Sequence, residues 1–329
     1  MATDPPADSS PGSAPPRRRT PATALLAAGG VLCLTPWASP PLALAAGAAL
    51  ALTLENPFPA GSRRTAKYLL QISVVLLGFS MDLPTVLRAG ASGIVFAAAT
   101  ILATLGLGFL VRRWLSVDRV TSVLISVGTA ICGGSAIAAV GSVIGAAEGE
   151  MSVAIGTVFL LNAAALYLFP ALGHAFHLAQ TPFGTWAGVA IHDISSVVGA
   201  SAVYGLEALE RATAVKLSRA LWIVPLTLAA AYLHRRREPG TRATRVPIPW
   251  FIALFVAASI ARSLSPAVAA AGPAIARVAR TGMTLTLFLI GAGLSRKALR
   301  AVGWRPLAQG VILWIVVAAG SLAVILRAS

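Results

Sequence analysis

Charge is scarce in this 329-residue chain, and negative charge scarcest: charged residues are 11% of the whole and only eleven are Asp or Glu. A soluble domain of this size would carry about 25% charged residues, so a water-exposed globule is excluded. Two cysteines, Cys33 and Cys132, both sit in apolar runs, which rules out a disulfide framework and leaves the redox compartment unread. No glycine-rich phosphate loop appears, which argues against an ATP-driven pump. Nor does any His-Glu-x-x-His helix or Gly-x-Ser-x-Gly turn, so zinc-protease and serine-hydrolase chemistry lack their signatures and an enzyme is not expected. His174 and His177 share a span end without a third ligand in sequence, and no metal or cofactor is expected.

Apolar residues fill the space instead. They make up 57% of the chain, the mean hydropathy is +0.81, and they gather in runs of about 17–25 residues, the length that crosses about 30 Å of hydrocarbon as helix. Eleven candidate spans follow: Pro21–Trp37, Pro40–Leu54, Thr65–Met81, Ala91–Val111, Thr121–Ser142, Met151–Phe176, Gly184–Gly205, Thr213–His234, Pro247–Leu264, Val268–Leu294 and Leu307–Arg327. The first two are short and read as a hairpin that crosses only in part. Residues 1–20, rich in Pro, Ser and Ala and ending in Arg17–Arg19, read as a disordered cytoplasmic tail before a single transmembrane domain over 21–329.

The net charge of +15 would suggest nucleic acid in a soluble protein. Here 23 of 26 basic residues are Arg, packed into short loops, with no nucleic-acid motif. The charge sets topology. Placing Arg17–Arg19, Arg63–Lys67, Arg112–Arg119, Arg235–Arg245 and Arg296–Arg305 on the cytoplasmic side puts the N-terminus inside and the C-terminus outside. In that count the loop holding Glu148 and Glu150 is external.

Two short phrases echo one another in mid-span: AICGGSAI at Ala130–Ile137 and AIHDISSV at Ala190–Val197. Glycine pairs and ionisable groups at that depth are costly, and they persist where a broken helix faces a protein-lined cavity. In Cys132-Gly133-Gly134-Ser135 the glycines let a helix open and present backbone N–H groups to an anion; close packing through small residues is the alternative. His192-Asp193, followed by Ser195 and Ser196, places the only acid deep inside a span beside an imidazole. A desolvated carboxylate and an imidazole can together exchange a proton or hold a cation, or simply pin helix packing. Lys216 and Arg219 share a helix face near the outer end of their span, as do Arg277 and Arg280; they either draw an anion inward or snorkel to headgroups. A further echo, Leu76–Gly90 with Phe288–Gly303, joins units of opposite orientation and suggests an inverted repeat. The two mid-span phrases both run outward in this count and so are not inverted mates.

Across Tyr68–Asp82, Ser126–Val140, Tyr167–Pro170, Ala190–Ser201, Lys216–Pro225, Ile248–Phe251 and Leu289–Leu307, the chain resembles the sulfate exporter (YeiH-like) family of bacterial inner-membrane proteins. The resemblance implies an all-α polytopic membrane protein of about 10–11 transmembrane helices, with inverted-repeat pseudo-symmetry and two interrupted central helices. It implies site positions at Cys132, Gly133, Gly134, Ser135, His192, Asp193, Lys216 and Arg219. The function expected is secondary transport of a small anion, sulfate or an organic sulfonate, by alternating access, in the export direction and coupled to a proton. A cation/proton antiporter and a non-transporting scaffold are the alternatives. Partners expected are the anion, a proton or sodium, the bilayer and a second copy of the chain.

Overall fold

The computed structural model describes residues 19–328 except Pro36, Glu55, 238–249 and 294–301. The tail expected over 1–20 falls outside it apart from Arg19 and Thr20, which open the first helix, and so does half of the Phe288–Gly303 echo.

Fourteen helices and no strand occur among the described residues. They are α1 (Arg19–Leu32), α2 (Pro40–Thr53), α3 (Pro59–Gly78), α4 (Leu83–Leu115), α5 (Arg119–Ala130), α6 (Gly134–Val143) and α7 (Glu148–Ala175). They continue as α8 (Gln180–Ala190), α9 (Ile194–Tyr204), α10 (Leu206–Ala220), α11 (Ile223–Arg237), α12 (Trp250–Leu264), α13 (Pro266–Ala292) and α14 (Trp304–Ala328). Five stretches are long and apolar enough to cross a membrane: Val95–Leu115, Glu148–Ala175, Leu206–His234, Pro266–Ala292 and Trp304–Arg327. The chain is an all-α polytopic membrane protein. With 14 residues each, α1 and α2 rise about 21 Å, short of a bilayer's hydrocarbon.

Both expected interruptions are present, at 131–133 and 191–193. Each does more than bend its helix. A Cβ at Gly128 of α5 would lie 2.8 Å from Ile137 of α6, and one at Gly141 3.4 Å from Leu124. In a continuing helix those pairs would stand about 13 and 25 Å apart along the axis. The chain therefore reverses, and α5–α6 is a re-entrant hairpin. The same holds for α8–α9, where Tyr204 stacks on Phe183 with ring centroids 3.6 Å apart and donates its hydroxyl to the Leu178 carbonyl at 2.5 Å.

Spans Thr121–Ser142 and Gly184–Gly205 thus turn back at mid-depth. Because α7 runs between them from one end of the bundle to the other, the hairpins enter from opposite ends. This corrects the reading that both phrases run outward. It also moves the Glu148/Glu150 loop to the end that carries Arg112, Arg113 and Arg119. Everything after α10 keeps its direction, because two crossings have been removed together.

Packing sorts the helices into two groups. One has α13 at its centre with α1, α2, α3 and α12; the other holds both hairpins with α4, α7, α10, α11 and α14. Within the second group, α8 lies along α10 with the two running in parallel. Glycines at 184 and 188 make this possible, since a Cβ there would sit 2.6 Å from the Ala208 carbonyl oxygen and 2.9 Å from that of Ala212. Small residues of this kind let helix backbones approach inside a bilayer.

The hairpins make a labelling prediction. Cys33 and Cys132 are buried, whereas Ser116, Ala147 and Ala179 are exposed. Ala147→Cys and Ser116→Cys are expected to react with a membrane-impermeant maleimide from one face, and Ala179→Cys from the other. Ala147→Cys reacting from the face opposite to Ser116→Cys would mean that α5–α6 crosses.

Candidate functional site

The hairpin tips meet. A Cβ built at Gly133 would lie 3.3 Å from the Asp193 Cβ and 3.3 Å from Val158 of α7. Gly133 also holds φ at +67°, a conformation that disfavours a side chain. Both constraints call for glycine at this one position.

Together the two tips leave four helix ends at mid-depth, with carbonyls exposed where α5 and α8 stop and N–H groups where α6 and α9 start. Two cations from α10 answer the carbonyls. Lys216 Nζ donates to the Ile191 carbonyl at 2.6 Å. Arg219 donates Nη2 to the Ala130 carbonyl and Nη1 to Thr100 Oγ1 at 2.8 Å. Lys216 is 0% exposed and Arg219 1%. Among the described residues neither is ion-paired, and Arg219 Nε has no partner. These cations were expected near an outer helix end. Their helix starts at Leu206, seven residues earlier than its expected start at Thr213, and this carries them to the tips.

On the N–H side, Asp193 is the N-cap of α9. Its carboxylate accepts from Ser196 N at 2.9 Å and Ser195 Oγ at 2.7 Å. The α6 N-terminus has only Gly133 as N-cap, without a side-chain bond. Beside it Cys132 Sγ and Ser135 Oγ lie 3.0 Å apart. Ser135 is exposed, Gly134 and Asp193 are half-buried, and Cys132, His192, Ser195 and Ser196 are buried. The tips are therefore open on the α6 side and sealed behind.

His192 and Asp193 do not bond one another. The His192 backbone N–H donates to Asn162 Oδ1 at 3.1 Å; both imidazole nitrogens, Asn162 Nδ2 and Trp314 Nε1 are buried without partners among the described residues. The His192 and Trp314 rings stand 6.3 Å apart. Sequence reading missed Asn162, Thr100 and Trp314. Asn162 carried a signal, being the only asparagine inside an expected span. Arg277 is exposed and Arg280 half-buried. His174 stacks on Tyr204 at 4.5 Å, at the root of the second hairpin.

Residues 29–310 match the model of the family described as conserved hypothetical protein 698. The chain belongs to that family. It is 49% identical to a UPF0324 membrane protein of Bacteroides thetaiotaomicron over 298 residues, 90% of this chain and 89% of the relative. A UPF0324 membrane protein of Porphyromonas gingivalis is 50% identical over 295 residues, 89% and 88% of the two chains. One from Bdellovibrio bacteriovorus is 48% identical over 297 residues, 90% and 91%. No solved structure matches.

Proposed function

We propose that this protein is a secondary transporter that binds a small oxyanion, sulfate or an organic sulfonate, between its two hairpin tips. The observation that carries this reading is the pair of buried, unpaired cations on the tip carbonyls. Burying an unpaired ion costs several kcal/mol. A helix C-terminus returns at most about 2 kcal/mol to each. The balance is left for a ligand to supply.

Charge counting agrees. Two cations, one carboxylate, two C-termini of about −0.5 and two N-termini of about +0.5 sum to about +1. A dianion would take the sum to about −1, and a proton taken up with it would restore neutrality. Asp193 is the half-buried acid at that place, and His192 lies directly behind it. A cation/proton antiporter also has Asp193 to work with, but a metal cation would have to approach Lys216 and Arg219. That electrostatic conflict is why we prefer the anion to the cation.

The two packing groups provide a mechanism for alternating access. The hairpin group would carry the tips past the α13 group, with α9 against α13 and α2 as the sliding contact. In this reading the α5–α7 and α8–α11 units are inverted repeats, the basic end faces the cytoplasm of a bacterial inner membrane, and the direction is export. The test is counterflow in proteoliposomes. Internal sulfate should accelerate uptake of labelled sulfate severalfold, and internal sodium should leave labelled sodium uptake at the protein-free rate. Sodium counterflow without sulfate counterflow would favour the antiporter.

A further inference from the structure

Two adjoining cavities of about 460 and 540 Å³ open where α4 turns into α5. They share Phe109 and Arg112; Arg113 lines the smaller, and Arg119 with Ser122 and Ser126 the larger. Three arginines thus line this one corner. Arg112 uses Nε on the Val117 carbonyl at 3.3 Å, and Arg113 lies 5.8 Å over the Phe109 ring. Arg119 is exposed and makes no hydrogen bond or ion pair among the described residues. The only acid lining either cavity among the described residues, Asp118, directs its carboxylate to the N–H groups of Val120 and Thr121.

The corner also lies at a defined depth. It closes the Val95–Leu115 span, and Trp114 beside it is 76% exposed, where an aromatic belt marks the headgroup level. Along the same helix Leu102, Phe109 and Leu110 present exposed apolar surface. A cationic cavity at headgroup level above an apolar helix face has the form of a phospholipid: phosphate above, acyl chain below.

We infer that this corner binds the phosphate of an anionic phospholipid such as phosphatidylglycerol. The site is independent of what the hairpin tips carry. Its consequence would reach them, because the corner is the root of the first hairpin. Ser122 and Ser126 on its floor are held by Gln309 of α14.

The experiment is native mass spectrometry of the intact protein with phosphatidylglycerol or phosphatidylethanolamine. The Arg112→Gln/Arg119→Gln variant should bind phosphatidylglycerol about 25-fold more weakly, about fivefold for each arginine removed. Arg119→Gln alone, at an exposed and unbonded position, should lose about fivefold and covers the case in which the double variant does not fold. Arg277→Gln/Arg280→Gln should match the wild type. Unchanged phosphatidylglycerol binding in Arg119→Gln and the double variant would overturn the inference, as would equal binding of the two lipids. Displacement of phosphatidylglycerol by an equal concentration of inorganic phosphate would show a free-anion site and overturn the lipid assignment.

Discussion

Lys216→Met is expected to fold at least as well as the wild type and to lose sulfate. Methionine keeps the unbranched stem of lysine as far as Cε and removes the charged nitrogen. The Ile191 carbonyl then lacks its 2.6 Å donor, at about 1–3 kcal/mol for a buried group left unsatisfied. Against this, the desolvation of an unpaired ammonium disappears, a relief of several kcal/mol. The sum leaves the melting temperature level or raised. Binding moves the other way, because removing one member of a buried charge pair costs about 2–5 kcal/mol, thirtyfold or more in affinity. Stability kept while affinity collapses is the signature of a ligand-directed charge. Melting curves and sulfate titration of the same preparation read both, and a purely structural lysine would show reduced stability with nothing to lose in binding.

Asp193→Asn separates coupling from capping. Asparagine is as good an N-cap as aspartate, so the bond to Ser196 N and the start of α9 should survive, with stability within about 1 kcal/mol of wild type. What changes is one negative charge. The tips become more positive, so sulfate should bind more tightly, and its flux should lose its dependence on pH. A pH profile like that of the wild type would take Asp193 out of proton coupling and leave it as a cap.

Composition and the two phrases already located the breaks, because Gly133 and Asp193 are hard to place inside an unbroken membrane helix. Direction was hidden. The arms α5 and α6 have 12 and 10 residues, α8 and α9 have 11 each, and either pair adds up to one ordinary crossing. Hydropathy measures the amount of apolar chain and is blind to whether it turns back. Only contacts such as Gly141 with Leu124 reveal the reversal.

The depth of Lys216 was hidden for a related reason. Glu207, Glu210 and Arg211 read as a loop, yet they form the first turns of α10. There Glu207 meets the Thr181 hydroxyl and Arg211 Nε donates to Thr185 Oγ1 at 2.9 Å. With those turns counted as helix, Lys216 falls opposite Ile191. Asn162 stood out in sequence only as a lone asparagine within a span and Trp314 not at all, since what brings them to His192 is the packing of α7 and α14.

The most direct test of the central claim is calorimetric titration of the wild-type protein with sulfate and, separately, with a sodium salt of an inert anion. An anion site at the hairpin tips predicts saturable heat with sulfate and none with sodium. Saturable sodium binding with no response to sulfate would contradict it.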